Sequence, residues 1–340
     1  MKPVPKNLLQ NNSLASAEEA DKSEVVVRAA WLYFMENMTQ EEIARCLGIS
    51  RIKVVRLIKE AREKGIVEIK VQSPITENLR LEGEIRSLYQ LTAVVVTLPE
   101  DEGEPLNKVL AWTAAQILEQ RLRPGIKIGV GLGRTTSYLP DFFTPRKHID
   151  STFISLAGGL NSRENIDSSN ETLLKLSKIS GGTAKYIYAP FLVSSANIRA
   201  AIMQDKAVES VVEQAKTADL AIFSVGTPDN FALLHQYNLI TAEEMAEIRS
   251  MGARGDVIGR FFDRSGEEIM TSYRDRVIGL TIDELRAIPD RVLVAGGPKK
   301  HEGILAALVG KIANILVTDI GTAEWLIKFA KEEEVGIGLK

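Results

Sequence analysis

The chain has 340 residues, of which 45% are hydrophobic and 26% charged, with 42 Lys and Arg against 45 Asp and Glu for a formal net charge of −3. This length suits two ordinary domains, and the composition is that of a folded chain rather than a disordered one. The near balance of charge excludes a protein that is basic over its whole surface, but it allows a local basic patch.

Cysteine usage and hydropathy favour a soluble protein of the reducing cytoplasm. The one cysteine, Cys46, cannot form an internal disulfide, and we expect it to be a buried packing thiol. No uncharged apolar run approaches the ~18–20 residues of a membrane span, and the N-terminal residues lack the apolar core of a signal peptide. We therefore expect no membrane partner.

The first part of the chain predicts a small helical domain. Residues 1–22 are polar without apolar periodicity, which predicts a disordered tail, and apolar residues at helical spacing predict a first helix over 23–37. Thr39, with Glu42 three residues later, forms a capping-box pattern that opens a second helix. That helix ends at Gly48, where a short turn needs a residue that tolerates positive φ.

A third helix follows and then a wing-like strand. Ser50 is placed to cap a helix over 51–64, and alternating residues 66–71 predict a short half-buried strand. Pro74 breaks the pattern, so the predicted boundaries are 23–72 for a helix-turn-helix (winged-helix-like) domain, 73–78 for a linker and 79–340 for a larger domain.

The third helix is the candidate for reading DNA. Residues 50–64 carry six basic and two acidic side chains, and both acids lie toward the C-terminal end. The N-terminal half of such a helix docks in the major groove, where Arg and Lys contact guanine edges or phosphates. The candidate DNA-binding residues are Thr39, Gln40, Ser50, Arg51, Lys53, Arg56 and Lys59. The alternative is a solvated basic helix in a fold that never touches DNA.

The larger domain predicts an α/β fold with a mainly parallel sheet, because short apolar runs alternate with helical patterns. The predicted strands are 93–98, 126–130, 153–156, 184–188, 220–223, 291–295 and 314–318. In such sheets, ligands bind at the carboxyl ends of the strands.

Glycine-rich loops follow three of these strands. Residues 129–136 follow the second strand and contain three glycines, Arg134, Thr135 and Thr136, whose backbone N–H groups and hydroxyls suit a phosphate or a polyol. Loops 157–161 and 296–300 follow two further strands, and 255–263 supplies a carboxylate. A carboxylate and a lysine at one cleft suit sugar recognition, and also the acid–base chemistry of an isomerase. The three histidines lack metal-ligand spacing, so we expect no catalytic residue, metal or cofactor.

Several stretches together carry a family resemblance. They are 29–34, 39–44, 49–57, 129–135, 255–263 and 295–297, followed by Lys300, Ile304, Thr318 and Asp319. In these the chain resembles bacterial SorC-type regulators, the sugar-binding transcriptional regulators of the SorC/DeoR kind. The resemblance implies a DNA-binding head joined to an effector domain related to ribose-5-phosphate and glucosamine-phosphate isomerases. It also implies dimers or tetramers and an inducer that is a sugar, polyol or sugar phosphate.

The resemblance also assigns effector-binding residues. They are Gly133, Thr135, Thr136, Asn161, Asp256 and Lys300, and the chemistry of the glycine-rich loop adds Arg134 to them. Some phosphosugar-binding members have an Arg near the position of Asn161, so a neutral sugar or polyol becomes plausible here. The interpretation is a transcriptional regulator and not an enzyme, with a double-stranded DNA operator, a small carbohydrate effector and a second copy of itself as partners. A sugar-phosphate isomerase carrying a helical head is the alternative.

Overall fold

The computed structural model describes residues 14–67, 76–97, 105–145, 147–160, 169–229, 234 and 239–337. The chain divides into two compact units, Met1–Ser73 and Pro74–Lys340. None of the described helices is both long and apolar enough to span a bilayer.

The described part of the first unit contains three helices. They are α1 (Leu14–Phe34), α2 (Gln40–Leu47) and α3 (Arg51–Glu63). Helix α1 begins at Leu14, so the prediction that residues 14–22 form a disordered tail is wrong, because the helix continues through this polar segment. Residues 1–13, and most of the strand predicted over 66–71, lie outside the described residues.

The turn between α2 and α3 is built as the sequence predicts. Thr39 and Glu42 form a capping box at the start of α2, and Gly48 ends that helix with φ 65°. Ser50 Oγ accepts a hydrogen bond from Lys53 N at 3.3 Å and so caps α3. The three helices enclose a small core. Cys46 is exposed, so its prediction as a packing thiol is wrong: Ile43, Ala44 and Leu47 form the core-facing side of α2, and Cys46 lies at the edge of that side.

The second unit is built on a seven-stranded parallel sheet. Its strands are β1 (Ala93–Val96), β2 (Ile126–Val130), β3 (Ser151–Ser155), β4 (Thr183–Lys185), β5 (Leu220–Phe223), β8 (Asp290–Val294) and β9 (Ile315–Thr318), in the order β1-β9-β8-β5-β2-β3-β4. All seven predicted strands are present in this sheet. The central strands β2, β5 and β9 are predictable because burial on both faces makes them short apolar runs, whereas β4 lies at the sheet edge with Thr183 and Lys185 exposed.

Helices cover both faces of the sheet. Those in the described ranges are α4 (Thr76–Leu88), α5 (Leu106–Arg121), α6 (Arg134–Ser137), α7 (Leu139–Phe142), α8 (Ser169–Ser180), α9 (Ala196–Met203), α10 (Lys206–Lys216), α11 (Ala242–Ser250), α12 (Ile282–Arg286), α13 (His301–Val309) and α14 (Ile320–Ile337). Successive residues of one strand belong to opposite cores: Ile222 packs with α5 and α8, whereas Phe223 packs with the other core cluster. The unit is therefore a three-layer α/β domain.

A two-stranded antiparallel hairpin stands apart from the sheet and was not predicted. Its strands are β6 (Gly255–Val257) and β7 (Arg260–Phe262). The two turn residues, Ile258 and Gly259, have φ 46° and 77°, the positive values that a type I′ hairpin turn requires. A β-branched residue at positive φ is strained, so the surrounding packing holds this turn in place.

Candidate functional site: a basic helix and a carbohydrate-sized cleft

Helix α3 divides cleanly into a buried face and an exposed face. Val54, Leu57, Ile58 and Ala61 are buried at helical spacing against α1 and α2. The opposite face carries Ile52, Arg56 and Lys59, with Arg51 and Lys53 exposed in the first turn. The amphipathic pattern thus leaves the basic side chains available to a partner.

Some basic side chains of α3 form ion pairs with carboxylates of the same segment, and others do not. Lys59 pairs with Glu63 and Lys64 with Glu60, at 3.5 and 2.6 Å. In the part of the chain that the structure describes, no carboxylate lies within ion-pair distance of Arg51, Lys53 or Arg56. The unneutralised charge is therefore concentrated in the N-terminal half of α3, the half that enters a major groove in helix-turn-helix proteins.

A shallow concavity of about 670 Å³ brings together three of the predicted DNA-binding residues. Thr39, Gln40 and Arg51 line it beside aromatic side chains of α1. The side chains of Thr39 and Ser50 also hold the helix starts through capping hydrogen bonds. Thr39 thus fixes the start of α2 and Ser50 fixes the start of α3, whatever else they contact.

The second unit has a cleft at the carboxyl ends of β2, β5 and β8, which are neighbours in the sheet. Its volume is about 170 Å³, below the ~300–1,000 Å³ typical of pockets for drug-sized ligands, so it suits a compact molecule. The described lining residues are Asn107, Leu132, Gly133, Arg134, Leu160, Phe191, Ser224, Val225, Gly226, Thr227, Leu234, Asp256, Gly259 and Lys300.

Asp256 projects its carboxylate into the cleft from the hairpin. Its backbone pairs with that of Gly226 through two hydrogen bonds of 2.8 and 3.1 Å, so the hairpin is joined to the loop after β5. Asp256 Oδ2 accepts from Gly259 N at 3.2 Å, and the residue is only 9% exposed. Burial raises the pKa of the Asp256 carboxyl to about 6, although the Gly259 N–H and the Lys300 charge oppose that rise.

Lys300 faces the same cleft from the short 3-10 turn Pro298–Lys300 that follows β8. Its Nζ donates to Ser224 Oγ at 3.3 Å. Burial lowers the pKa of the Lys300 ammonium to about 8; the Asp256 charge opposes this shift and Arg134 adds to it. Between these two pKa values both side chains are charged, so the pair offers one anionic acceptor and one cationic donor, in a cleft that Arg134 also lines.

The turn that carries Lys300 is anchored by the start of α14. Gly297 N donates to Asp319 Oδ2 at 2.8 Å and to Thr322 Oγ1 at 2.9 Å. Asp319 also caps α14, where its Oδ1 accepts from Thr322 N. A side chain at Gly296 would collide with the Asp319 carboxylate. Asp319 is therefore a positioning residue for the Lys300 turn.

The structure brings four of the predicted effector residues together and separates two. Gly133, Arg134, Asp256 and Lys300 line the cleft, whereas Thr135 and Thr136 are buried beneath it. The prediction that their hydroxyls face the ligand is corrected: Thr136 Oγ1 donates to the carbonyls of Gly131 and Gly133, and Thr135 Oγ1 donates to Asn107 Oδ1 at 3.3 Å. Asn161 lies outside the described residues.

Sequence reasoning missed several polar residues of the cleft. Ser224 and Thr227 lie in the Ser-Val-Gly-Thr loop directly after β5, and Asn107 lies in the first turn of α5. The signal for the first two was present, because small and polar residues follow a buried central strand there as they do after β2 and β8. Asn107 had no such signal, since only the fold brings α5 to this edge.

Comparisons with known proteins cover nearly the whole chain. Residues 73–328 match the model of a sugar-binding domain family (Sugar-bind), and residues 26–64 match that of sigma-70 region 4. The chain is 31% identical to the deoxyribonucleoside regulator of Bacillus subtilis (strain 168), over 91% of this chain and 99% of that one. It is 32% identical to the erythritol catabolism regulatory protein EryD of Brucella abortus (strain 2308), over 91% and 98% of the two chains.

A solved structure agrees with these relatives. The full-length sorbitol operon regulator SorC from Klebsiella pneumoniae superposes with a TM-score of 0.69 at 29% identity, covering 90% of this chain and 99% of that one. The likeness therefore includes both units, the helical one and the one that holds the cleft.

Proposed function

Because the chain belongs to the Sugar-bind family of SorC/DeoR-like sugar-binding transcriptional regulators, we propose that it controls a carbohydrate-catabolic operon in the bacterial cytoplasm. In this proposal, a small carbohydrate in the cleft alters the affinity of the α3 face for a double-stranded DNA operator. The single observation that carries the proposal is the Asp256–Lys300 pair facing a compact cleft, in a chain whose separate helical unit exposes an unneutralised basic helix face.

The chemistry of the cleft favours a ligand rich in hydroxyl groups. The Asp256 carboxylate accepts hydrogen bonds from hydroxyls, and the Lys300 ammonium donates to hydroxyl or phosphate oxygens. Ser224 and Thr227 offer further hydroxyls, and Phe191 and Leu160 provide the apolar wall against which the carbon backbone of a sugar packs. A sugar or polyol satisfies all of these groups at once. Asn161, where some members place an Arg, favours an unphosphorylated ligand.

A pair of copies is needed for tight operator binding. One helix-turn-helix unit buries little DNA surface, and dimers of such units bind half-sites one helical turn apart. We therefore expect a dimer or tetramer and an operator with approximate two-fold symmetry.

The first experiment identifies the operator and tests the α3 face. Genomic fragments retained by the purified protein are sequenced, and affinity for the selected operator is measured by mobility shift. Arg56→Ala should weaken operator binding about tenfold or more, because a guanidinium contact to a base edge is worth ~1–3 kcal/mol. Lys64→Ala is the matched control, since Lys64 lies at the far end of the helix and pairs with Glu60. Equal effects of the two substitutions would contradict the assignment of the N-terminal half.

The second experiment tests the cleft. Operator affinity is measured with a panel of sugars, polyols and their phosphates, and the same panel is monitored by NMR for interconversion. The effective compound should shift operator affinity about 5–150-fold, the usual range of allosteric coupling. Asp256→Asn should keep normal operator affinity and lose the response, whereas Asp283→Asn, a highly exposed carboxylate on α12, should keep both. Turnover of a sugar phosphate would instead support the isomerase alternative.

A further inference from the structure

Among the described residues, Arg260 is the largest side chain that is fully buried. It lies in β7, in the hairpin that carries Asp256, and its charge is paired with Glu268, whose Oε1 is 3.3 Å from Nη1. Burial lowers the pKa of the Arg260 guanidinium, and the Glu268 charge opposes that shift. A buried charge is costly unless it is paired and hydrogen-bonded, so the groups that Arg260 contacts indicate its role.

All five N–H groups of this guanidinium are engaged in hydrogen bonds. Besides Glu268, they donate to four main-chain carbonyls of one irregular segment, residues 274–280. The acceptors are the carbonyls of Leu280 (from Nε, 3.1 Å), Arg274 (from Nη1, 3.0 Å), Val277 and Gly279 (both from Nη2, 3.2 and 3.4 Å). A guanidinium spreads its donors over a rigid planar fork and can bridge carbonyls at separate positions, whereas the ammonium of a lysine is a single point. Arg260 therefore fastens the hairpin to the 274–280 segment.

The main chain of the 274–280 segment also holds the apolar wall of the cleft. Ile278 N donates to the Phe191 carbonyl at 2.9 Å. Phe191 N donates in turn to the carbonyl of Gly159 at 2.9 Å, and Leu160 follows directly. Both Phe191 and Leu160 line the cleft. The segment therefore connects Arg260 to the wall that these two side chains form.

The hairpin and this wall touch each other beside Asp256. A Cβ added at Gly259 would lie 2.1 Å from Cζ of Phe191, so the Phe191 ring rests directly on the hairpin turn. Gly259 N also donates to Asp256 Oδ2 at 3.2 Å. The separation of the carboxylate and the ring thus depends on how the hairpin is joined to the 274–280 segment, and Arg260 joins them.

We propose that Arg260 is a positioning residue that fixes the separation of the Asp256 carboxylate and the Phe191 ring, and thereby restricts the cleft to a compact effector. Arg260 itself is buried and is not among the described residues that line the cleft. Binding sites lose affinity and selectivity when the residues that support them are loosened. The consequence for the ligand rests on the proposed function, whereas the connection between hairpin and wall does not.

Arg286 provides a matched control in the same unit. Its Nε donates to the Gly310 carbonyl at 2.9 Å and its Nη2 to the Gly266 carbonyl at 2.7 Å, so it too joins separate segments through main-chain carbonyls. None of these three residues belongs to the described lining of the cleft. Arg260→Lys and Arg286→Lys both keep the positive charge and lose the planar fork. Thermal melts of the two variants establish that each is folded.

The connection is tested first on the full-length protein without any sugar, by hydrogen exchange and mass spectrometry. In Arg260→Lys, peptides that contain Phe191 and Ile278 should exchange at least about tenfold faster than in wild type, because the hydrogen bonds of their amides open more often. In Arg286→Lys the same peptides should exchange as in wild type. Wild-type exchange of these peptides in Arg260→Lys would overturn the proposal.

Glu268→Gln is a milder variant that decides the question if Arg260→Lys does not fold. It removes the paired charge and keeps an oxygen acceptor for Nη1 of Arg260. The peptides that contain Phe191 and Ile278 should again exchange faster than in wild type, and peptides around Gly310 should not change. Exchange that stays at the wild-type rate around Phe191 and Ile278 would count against the role of Arg260.

The restriction on the ligand is then measured by calorimetry with a series of tetritols, pentitols and hexitols and the corresponding sugars. For the compound that wild type binds best, Arg260→Lys should lose at least about tenfold in affinity, because the groups of the cleft are displaced. Its preference among chain lengths should also become weaker, whereas Arg286→Lys should keep both affinity and preference.

Equal losses of affinity in Arg260→Lys and Arg286→Lys would reveal a general effect of stability and would exclude a positioning role. If wild type binds no compound of the series, the proposed function fails. The exchange comparison then decides by itself whether Arg260 joins the hairpin to the wall.

Discussion

Asp256 and Lys300 have pKa values that approach each other from opposite sides of neutrality. Burial raises the first to about 6 and lowers the second to about 8, and each charge partly offsets the desolvation of the other. Burying either charge without the other would cost more free energy, because a buried charge without a partner is strongly destabilising. The pair can therefore change its charge state within an ordinary physiological range.

Effector affinity should consequently be highest between about pH 6 and 8. Below pH 6 Asp256 gains a proton and loses its strength as an acceptor, and above pH 8 Lys300 loses its charge. At pH 5, one unit below the Asp256 pKa, the competent fraction is about a tenth, so affinity should fall roughly tenfold. Calorimetric titration of the active sugar from pH 5 to 9 measures this. A flat profile would remove Asp256 and Lys300 from ligand binding.

Position 226 has no room for a side chain beside Asp256. Its backbone pairs with Asp256, and an added Cβ would overlap the Asp256 carboxylate. Gly226→Ala should therefore displace that carboxylate and weaken effector binding at least about tenfold, with operator affinity retained. Gly83→Ala, in helix α4 with open space around it, is the control and should bind the sugar normally while gaining ~0.5–1 kcal/mol of stability. Calorimetry and thermal melts distinguish the two variants.

At the scale of the element, α3 presents more than positive charge. Ile52 is 70% exposed on the face that also carries Arg56, and Val55 is exposed beside it. An aliphatic side chain among basic ones suits the major groove, where thymine methyl groups lie beside hydrogen-bonding base edges. Ile52 and Val55 do not fit the helical spacing of the buried positions Val54, Leu57, Ile58 and Ala61. An apolar residue outside that spacing is the signal that would have identified them from the sequence.

Ile52→Ala should lower operator affinity by about 1 kcal/mol, or roughly fivefold, through lost apolar contact. Affinity for unrelated DNA should not change, because that binding is electrostatic and no charge is removed. The ratio of the two affinities in a competition mobility shift is the measurement. An unchanged ratio would mean that Ile52 does not contact bases. The melting temperature serves as the folding control and should stay as in wild type.

Elements differ in how far the sequence could predict them. The central strands β2, β5 and β9 were readable because they are buried on both faces and are followed by a helix pattern, whereas β4 is an exposed edge strand. The β6–β7 hairpin was not, because its strands have three residues each and its turn places Ile258 where sequence rules expect Asn, Asp or Gly. The carboxylate of Asp256 was identified through family resemblance, yet its burial and its pairing with Gly226 depend on contacts distant in sequence.

At the scale of the whole molecule, each unit has its own hydrophobic core. The helical unit packs around Ile43, Val54 and Ala61, and the larger one around two clusters on opposite faces of its sheet. A fragment of residues 74–340 should therefore fold, bind the active sugar within about threefold of the full-length affinity and show no operator binding. Calorimetry and mobility shift on the fragment check both statements. Loss of sugar binding in a folded fragment would mean that the cleft needs the helical unit.

Because the two units have separate cores, substitutions that damage one unit should be inherited differently from substitutions that damage the other. In the dimer or tetramer proposed above, a subunit with a defective α3 still folds its larger unit, joins wild-type subunits and inactivates them, so such alleles should be dominant. A subunit with a broken sheet core, for example at Ile222, never reaches the assembly and is degraded alone, so such alleles should be recessive. In a cell carrying a mutant and a wild-type gene copy, dominance or recessiveness would thus reveal which of the two units a substitution damages.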